Sequence, residues 1–287
     1  MSASAVVQRV VSAMNTIAPL AMADRSWDNV GLLLEHPRPN PDKKTVFLTI
    51  DLTEKVLDEC INEHPNCGMI VAYHPPIFAS MKRLTMADTK QRIVLRALDA
   101  GLSIYSPHTS LDACDGGIND WLADIIGSGL KVPIQAVDEN GKPPSPRNSR
   151  GVTTGYGRVL TLQQPICIKD LAAKLKIGLG VPTLRVAVPE QYDESKPLTT
   201  FAMCAGSGIS VLRQCSKPVD VWLTGEMSHH DVLSATAKGT VVILAEHTNT
   251  ERGFIKARLE PKLAAELRGD GYTVVTSTKD ADPLVVW

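Results

Sequence analysis

Five of the seven histidines in the chain follow short, apolar, β-branched segments that are typical of buried strands. One such segment precedes His74, a second precedes His108, a third precedes His229 and His230, and a fourth precedes His247. In open parallel sheets, ligands bind outside the carboxyl ends of the strands. Because imidazole both ligates metals and carries protons near neutral pH, this placement predicts a metal or acid–base site.

Two carboxylates accompany these histidines, since Asp112 lies four residues after His108 and Glu251 lies four residues after His247. A mixed nitrogen and oxygen donor set suits Zn, Mn, Fe or Co. A shared carboxylate would hold two such ions about 3.5–4 Å apart, with an activated water between them. Each residue also has an ordinary explanation. The histidines could be loop residues, Asp112 could cap a helix around 117–126, and the last pair could be a surface contact.

A glycine-rich turn, Gly206-Ser207-Gly208, lies between a predicted strand and a predicted helix. Backbone amides at such a turn can bind an anion, including a phosphate. A tight strand-to-helix connection explains the same residues. No Gly-Lys-Thr/Ser follows, so the turn is not a Walker motif.

Strands and helices alternate through the chain, which predicts an α/β fold with parallel sheets covered on both faces. Helices are predicted over residues 54–63, 88–100 and 251–267. Strands are predicted over residues 45–50, 69–73, 102–105, 152–162, 184–188, 199–204, 219–223, 241–245 and 273–277. A proline-rich linker at 133–150 separates a first lobe (1–132) from a second (151–249).

Composition excludes several classes of protein. The 30 Lys+Arg against 31 Asp+Glu give a net charge of −1, and the sequence contains no zinc finger or helix-turn-helix signature, so no direct nucleic-acid binding is predicted. No apolar run approaches the length of a membrane helix. Six unclustered cysteines predict reduced thiols and a cytoplasmic protein. Residues 1–25 are best read as an amphipathic helix; a mitochondrial transit peptide is the alternative, and a nuclear fraction is also open.

Five segments, spread in order along the chain, resemble one family. They are WDNVGLLLE (27–35), AYHPPIFASMKR (72–83), YSPHTSLDA (105–113), TGEMSHHDVL (224–233) and EHTNTERGF (246–254). All are similar to the NGG-interacting-factor-three-like family of dinuclear metal proteins, also labelled type 2 homologues of GTP cyclohydrolase I. The resemblance covers essentially the whole chain.

The resemblance implies a site that binds two divalent ions. Carried over to this sequence, its ligands fall on His74, Asp112, His247 and Glu251. The first histidine of the family's adjacent pair falls on Tyr73, a departure that the resemblance associates with eukaryotic members. Because the pKa of a phenol is ordinarily near 10, tyrosine ligates a metal less readily than imidazole does at neutral pH. One or two ions are therefore expected.

Three further residues, His108, Glu226 and His230, are candidates for orienting the ligands or for acid–base work on a metal-bound water. For Glu226, a stabilising charge at a helix N-terminus is an equal alternative. His229 and Asp231 are expected to be bystanders. Asp28–Gly31 is expected near the site, in an unassigned role.

By resemblance, the fold consists of two similar three-layer α/β/α lobes with the metal in the inter-lobe cleft, and residues 250–287 return to the first lobe. The implied function is a metal-dependent hydrolase of a small molecule, nucleotides included. The alternatives are a regulatory or scaffold protein that contacts a transcriptional adaptor, and a metal-handling protein. The family also implies a homo-oligomer, with a hexamer as the expected form.

Overall fold

The chain forms two compact units in a computed structural model that describes residues 5–144 and 151–287. Unit 1 combines the described residues up to Leu111 with Ile255–Ala281. Unit 2 combines the described part of Asp112–Phe254 with Asp282–Trp287. The C-terminal segment therefore belongs largely to unit 1, to which strand pairing attaches it.

Both units contain a sheet and flanking helices. The strands are β1 (Gly31–Leu34), β2 (Thr45–Thr49), β3 (Cys67–Ala72), β4 (Ser103–Ser106), β5 (Gly129–Ala136), β6 (Gly155–Ile166), β7 (Arg185–Ala187), β8 (Leu198–Cys204), β9 (Val221–Thr224), β10 (Val241–Leu244) and β11 (Thr273–Thr276). The helices are α1 (Ala5–Ile17), α2 (Glu54–Glu63), α3 (Thr89–Asp99), α4 (Thr109–Ala113), α5 (Ile118–Ile126), α6 (Ile168–Leu179), α7 (Ile209–Leu212), α8 (His229–Ala237), α9 (Arg252–Phe254) and α10 (Glu260–Glu266).

The sheet of unit 1 has the order β1-β4-β3-β2-β11. Strands β4, β3, β2 and β11 are parallel neighbours, and β1 is an antiparallel edge strand. Every residue of β3 is buried, as expected for a central parallel strand covered on both faces. Helices α2 and α3 share one apolar core with the sheet, while α1 packs against β3 and α10. This gives three layers.

Helix starts in unit 1 follow local capping rules. The Thr53 side chain accepts a hydrogen bond from the Val56 amide at the start of α2, and Asp88 accepts one from Gln91 at the start of α3. Gly101 adopts a φ of +77° after α3, where a left-handed residue is favoured. Because Thr53 supplies the cap of α2, the Asp51 carboxylate is available for another role.

The sheet of unit 2 has the order β5-β6-β8-β9-β10-β7. Strands β8, β9 and β10 are parallel, whereas β5, β6 and β7 pair antiparallel with their neighbours. Helix α7 packs beside β8, α8 packs on β10, and α5 packs against α6. The carboxyl ends of the three parallel strands lead into the loops that carry the candidate site residues.

The α/β fold class is confirmed, and three features differ from the sequence-based prediction. Both sheets are mixed rather than purely parallel. Strands β1 and β5 were not predicted. The helix predicted over 251–267 contains a π-helical turn at Ile255–Leu259.

Among the described residues, no helix has both the length and the apolar character required to span a membrane.

The predicted lobe boundary also differs from the structure. The chain passes from unit 1 to unit 2 at Asp112, not after residue 132. Residues 133–136 of the predicted linker belong to β5, which pairs with β6 along its length. Pro133 misled the prediction, because proline suggests a loop but is tolerated in an edge strand. Residues 145–150 of the predicted linker lie outside the described residues.

Candidate metal centre

Within unit 1, a carboxylate holds the imidazole of His74. His74 follows β3 and Asp51 follows the neighbouring parallel strand β2, so both lie beyond the carboxyl edge of the sheet. His74 Nδ1 lies 3.0 Å from Asp51 Oδ1. Because an ionised carboxylate can only accept, His74 Nδ1 donates the hydrogen bond, and Nε2 is the ring nitrogen that this contact does not use. Metal-ligating histidines are typically oriented in this way.

The C-terminal segment of unit 1 supports the strand end that carries Asp51. The Asp280 carboxylate accepts a hydrogen bond of 2.7 Å from the Ile50 amide. The buried Glu59 carboxylate accepts hydrogen bonds from Ser277 and from both the amide and the hydroxyl of Thr278. Burial alone would raise the pKa of Glu59, but these hydrogen bonds outweigh it and lower the pKa. The segment after β11 is thus hydrogen-bonded both to α2 and to the residue that follows β2.

A second carboxylate–histidine pair in unit 1 joins Asp28 to His108. Asp28 Oδ1 lies 2.7 Å from His108 Nδ1, while Oδ2 accepts a hydrogen bond from the Thr109 hydroxyl. The side chain of Asp28 is fully buried. Burial raises the pKa of Asp28, but the hydrogen bonds from His108 and Thr109 prevail and lower it. Asp28 therefore stays ionised and orients His108, which gives the unassigned Asp28–Gly31 segment a role.

Tyr73 is buried at the end of β3. Its amide donates to the Thr49 carbonyl, and its own carbonyl accepts a hydrogen bond from the Ser106 hydroxyl. Its ring centroid lies 4.9 Å from that of His74 and 5.3 Å from that of His108. The structure therefore brings the ring of Tyr73 close to the rings of His74 and His108.

Within unit 2, one histidine and two carboxylates form a compact group. His247 Nε2 lies 3.5 Å from Glu251 Oε1, and His247 Nδ1 lies 2.9 Å from Glu226 Oε1. A 3-10 turn at Thr248–Thr250 brings the first two residues together. Glu226 orients the imidazole, and within unit 2 His247 Nε2 and an oxygen of the buried Glu251 carboxylate are each able to ligate a metal ion.

Gly206 lies against both of these atoms. A Cβ added at Gly206 would lie 2.7 Å from Glu251 Oε1 and 2.8 Å from His247 Nε2. The Gly206 carbonyl accepts a hydrogen bond from the Glu226 amide, and its φ is +61°. Glycine is required at this position because of both the conformation and the absent side chain.

The predicted anion-binding role of Gly206-Ser207-Gly208 is wrong for two of its three amides. The Gly206 amide donates to Thr250 Oγ1 at 2.8 Å, and the Gly208 amide donates to Thr224 Oγ1 at 3.1 Å. These donors are therefore occupied by the protein itself. The turn instead holds the segments that carry Glu226 and Glu251.

Buried Asn119 in unit 2 connects the Asp112 segment to this turn. Its amide nitrogen donates to the Asp112 carbonyl at 3.1 Å, and its amide oxygen accepts from the Ala205 amide at 3.0 Å. Burial raises the pKa of the Cys204 thiol, and the nearby negative charges of Asp112 and Glu251 raise it further. Asp112 and Glu251 therefore both lie close enough to Cys204 for their charges to act on its thiol.

A buried ion pair holds the loop that follows Asp112. The guanidinium of Arg158, 1% exposed, donates to both carboxylate oxygens of Asp120, at 2.8 and 3.0 Å. It also donates to the carbonyls of Gly155, Gly157 and Cys114. A bidentate, fully hydrogen-bonded pair of this kind fixes geometry as well as charge.

His230 lies elsewhere in unit 2. His229 and His230 are exposed in the first turn of α8, with ring centroids 5.5 Å apart. Asp231 interacts with Ser228 and Arg213. The contacts described for His230 therefore give it no role in orienting His247, whose Nδ1 is instead contacted by Glu226.

Two residues next to site residues have unusual backbone conformations. His108 has a φ of +34°, and Glu246, which precedes His247, has a φ of +68°. Positive φ is uncommon for residues other than glycine and typically persists at functional sites, where the surroundings compensate for the strain. Both residues therefore lie in segments whose hydrogen bonds also indicate a functional site, at His108 and at His247.

Sequence reasoning missed several supporting residues. The sequence-based prediction assigned no site role to Asp51, Asn119, Asp120 or Arg158. Their partners are distant in sequence, so local periodicity carries no signal of them. Among the supporting residues, only Asp28 could be recognised from the sequence, because it lies in a segment that resembles the family.

The chain matches the family model described as Duf34/NIF3 (NGG1p interacting factor 3) over residues 5–283. The chain belongs to this family. The protein NIF3 homolog of Schizosaccharomyces pombe is 41% identical over 287 residues, covering 99% of each chain. NGG1-interacting factor 3 of Saccharomyces cerevisiae is 36% identical, covering 98% of this chain and 96% of its own.

Solved structures share the fold. A hypothetical protein of Staphylococcus aureus superposes with a TM-score of 0.79 at 22% identity, covering 98% of this chain and 99% of its own. Reduced HcgD from Methanocaldococcus jannaschii superposes with a TM-score of 0.73 at 22% identity, covering 94% and 96%. At these identities, the matches support the two-sheet α/β architecture and not a shared activity.

Proposed function

We propose that this family member is a metal-dependent hydrolase of a small molecule, and that the group formed by His247, Glu251 and Glu226 is the core of its metal site. The observation that carries the proposal is the imidazole of His247, whose Nδ1 is held by a carboxylate and whose Nε2 lies 3.5 Å from a buried carboxylate oxygen. A buried carboxylate is costly unless it is paired or ligates a cation. Gly206 leaves open the space beside both atoms.

The proposed ligand set is His74, Asp112, His247 and Glu251. In both histidines, the Nδ1 atom is held by a carboxylate, that of Asp51 for His74 and that of Glu226 for His247. Two imidazole nitrogens with two carboxylates suit Zn, Mn, Fe or Co. When bound, such an ion supplies Lewis acidity and lowers the pKa of a coordinated water.

Tyr73 limits the proposed site to one firmly bound ion. It replaces the histidine that the family resemblance implies for a second ion, and a phenol must lose a proton to become a comparable ligand. Its burial makes that loss costlier, since desolvation disfavours the phenolate. The second ion is accordingly expected to be weak or absent.

Proton transfer in the proposed mechanism is assigned to His108. Its Nδ1 is hydrogen-bonded to ionised Asp28, so Nε2 can accept a proton and the resulting imidazolium is stabilised by the carboxylate. Glu226 is committed to orienting His247 and is therefore a positioning residue. Acid–base work is thus proposed for His108 and orientation of a metal ligand for Glu226.

The name of the Saccharomyces cerevisiae relative supports a second candidate, a regulatory protein that contacts a transcriptional adaptor. Such a function requires a protein surface rather than turnover. A metal-handling protein would instead exchange the ion without turnover. A turnover assay distinguishes both alternatives from the hydrolase, because neither predicts turnover.

The experiment is a turnover assay on a panel of nucleotides and phosphoesters. Chelation is expected to abolish turnover and metal to restore it, while His108→Ala is expected to lower kcat by about 10²–10⁴-fold, as for loss of a general acid–base. His229→Ala, at an exposed position of α8, is the matched control and should keep full activity. Absence of turnover by the metal-loaded protein on the whole panel would contradict the hydrolase and favour the two alternatives.

A further inference from the structure

Unit 1 exposes two aromatic side chains beside the Asp28–His108 pair. Trp27 is 54% exposed and Phe78 is 51% exposed, and their ring centroids lie 6.1 Å apart at 62°. His108 packs edge-on against both, at 5.8 Å from Trp27 and 6.4 Å from Phe78. Three mutually contacting rings, two of them half in solvent, form a surface on which a flat ligand can stack.

Polar contacts hold these rings in place. Trp27 Nε1 donates a hydrogen bond of 3.0 Å to Asp24 Oδ2, which fixes the orientation of the indole. The Asn29 side chain donates to the Ile77 carbonyl at 2.5 Å, which fixes the backbone next to Phe78. Preorganised aromatic groups lose little conformational entropy on binding. The aromatic surface is thus built into the fold.

A cationic cavity adjoins this surface. A cavity of about 470 Å³ is lined by Phe78 together with Lys82, Arg83 and Lys90. All three cations are exposed, and in the described part of the chain no ion pair involves them. The one acid among the lining residues, Asp88, accepts the capping hydrogen bond of α3. The cavity is therefore suited to an anion.

We propose that Trp27, Phe78 and this cavity bind a planar heteroaromatic ring that carries a phosphate, that is, a mononucleotide. The ring stacks on the aromatic pair, where it also meets His108, and the phosphate binds Lys82 and Arg83. As an assignment of substrate class, this inference rests on the proposed hydrolase function. As a binding site, it can be tested without turnover. The short cationic stretch and the neutral net charge favour a mononucleotide over a nucleic-acid strand.

The test is calorimetric titration of the full chain with adenosine 5′-monophosphate in a buffer that contains a chelator. Wild type is expected to bind, and Trp27→Ala and Phe78→Ala are each expected to weaken binding roughly 5- to 150-fold, the usual cost of losing one base-stacking ring. Trp27→Phe should retain most of the affinity. The Lys82→Ala/Arg83→Ala variant should weaken binding of the nucleotide but not of adenosine. Ile177→Ala, at another exposed apolar residue, is the control.

Three results of the titrations would overturn the inference. They are no binding by wild type, unchanged affinity in both aromatic variants, and tighter binding of an oligodeoxyadenylate strand than of the mononucleotide. A change of oligomeric state in Trp27→Ala, measured by light scattering, would also overturn it and assign the rings to a contact between copies. Nucleotide binding with no turnover after metal loading would contradict the proposed hydrolase function and leave the binding site standing. Turnover with an unchanged KM in both aromatic variants would contradict the proposed nucleotide-binding surface and leave the hydrolase function supported.

Discussion

Arg158→Met is expected to lower the free energy of unfolding by about 3–5 kcal/mol, because it removes the bidentate partner of the buried Asp120 carboxylate and leaves it with the more distant Lys131 ammonium, 3.9 Å away. The same change removes the donors to the Gly155, Gly157 and Cys114 carbonyls. Urea unfolding followed by circular dichroism measures the effect. Because the pair anchors the loop after α4, metal affinity should fall as well.

Lys169→Met is the control for this prediction. Lys169 forms an ion pair with Glu194 in the same unit, but both side chains are largely exposed. Exposed pairs contribute only about 0–1 kcal/mol. If Arg158→Met changed stability no more than Lys169→Met, the buried pair would not have the structural role assigned to it.

Gly206→Ala is expected to weaken binding of the divalent ion by at least about 100-fold, since loss of even an outer-shell partner typically costs 10–100-fold. The new methyl group would displace Glu251 Oε1 and His247 Nε2, which lie 2.7 and 2.8 Å from the Cβ position. Both atoms are at the ends of side chains, so they can move without unfolding the protein. Competition titration against a chromophoric chelator measures the affinity.

Gly180→Ala separates this steric effect from backbone strain. Gly180 also has a positive φ, +70°, but a Cβ there would meet no atom within 4 Å. Both variants incur the cost of placing alanine in the left-handed region, roughly 1–2 kcal/mol. Equal metal affinity in the two variants would show that Gly206 does not guard the ligand atoms.

The parts of the fold that obey local rules were predictable from sequence. Buried parallel strands such as β3 are continuous apolar runs, and helices α2 and α3 begin at recognisable caps. Strand β1 was missed because the short segment at 31–34 follows a turn-like Asp-Asn. Strand β5 was missed because Pro133 suggested a linker, whereas its identity as a strand depends on pairing with β6.

The candidate site divides in the same way. His247 and Glu251 could be paired from their spacing, because one turn of helix brings them together. The carboxylates that orient the histidines could not, since Asp28 is 80 residues from His108 and Asp51 is 23 from His74. Such partners meet only because the order of the strands in the sheet brings distant segments of the chain together. Gly206 was singled out for its amides, but its lack of a side chain is the property that the structure uses.

The most direct test of the account is the metal content per chain, measured by elemental mass spectrometry on untagged wild type and on Tyr73→His after reconstitution and gel filtration. The account predicts one retained divalent ion in wild type and a second in Tyr73→His, where imidazole replaces the buried phenol. An unchanged count in Tyr73→His would show that the tyrosine does not limit the site. Wild type that retains no ion would contradict the metal centre itself and, with it, the proposed hydrolase.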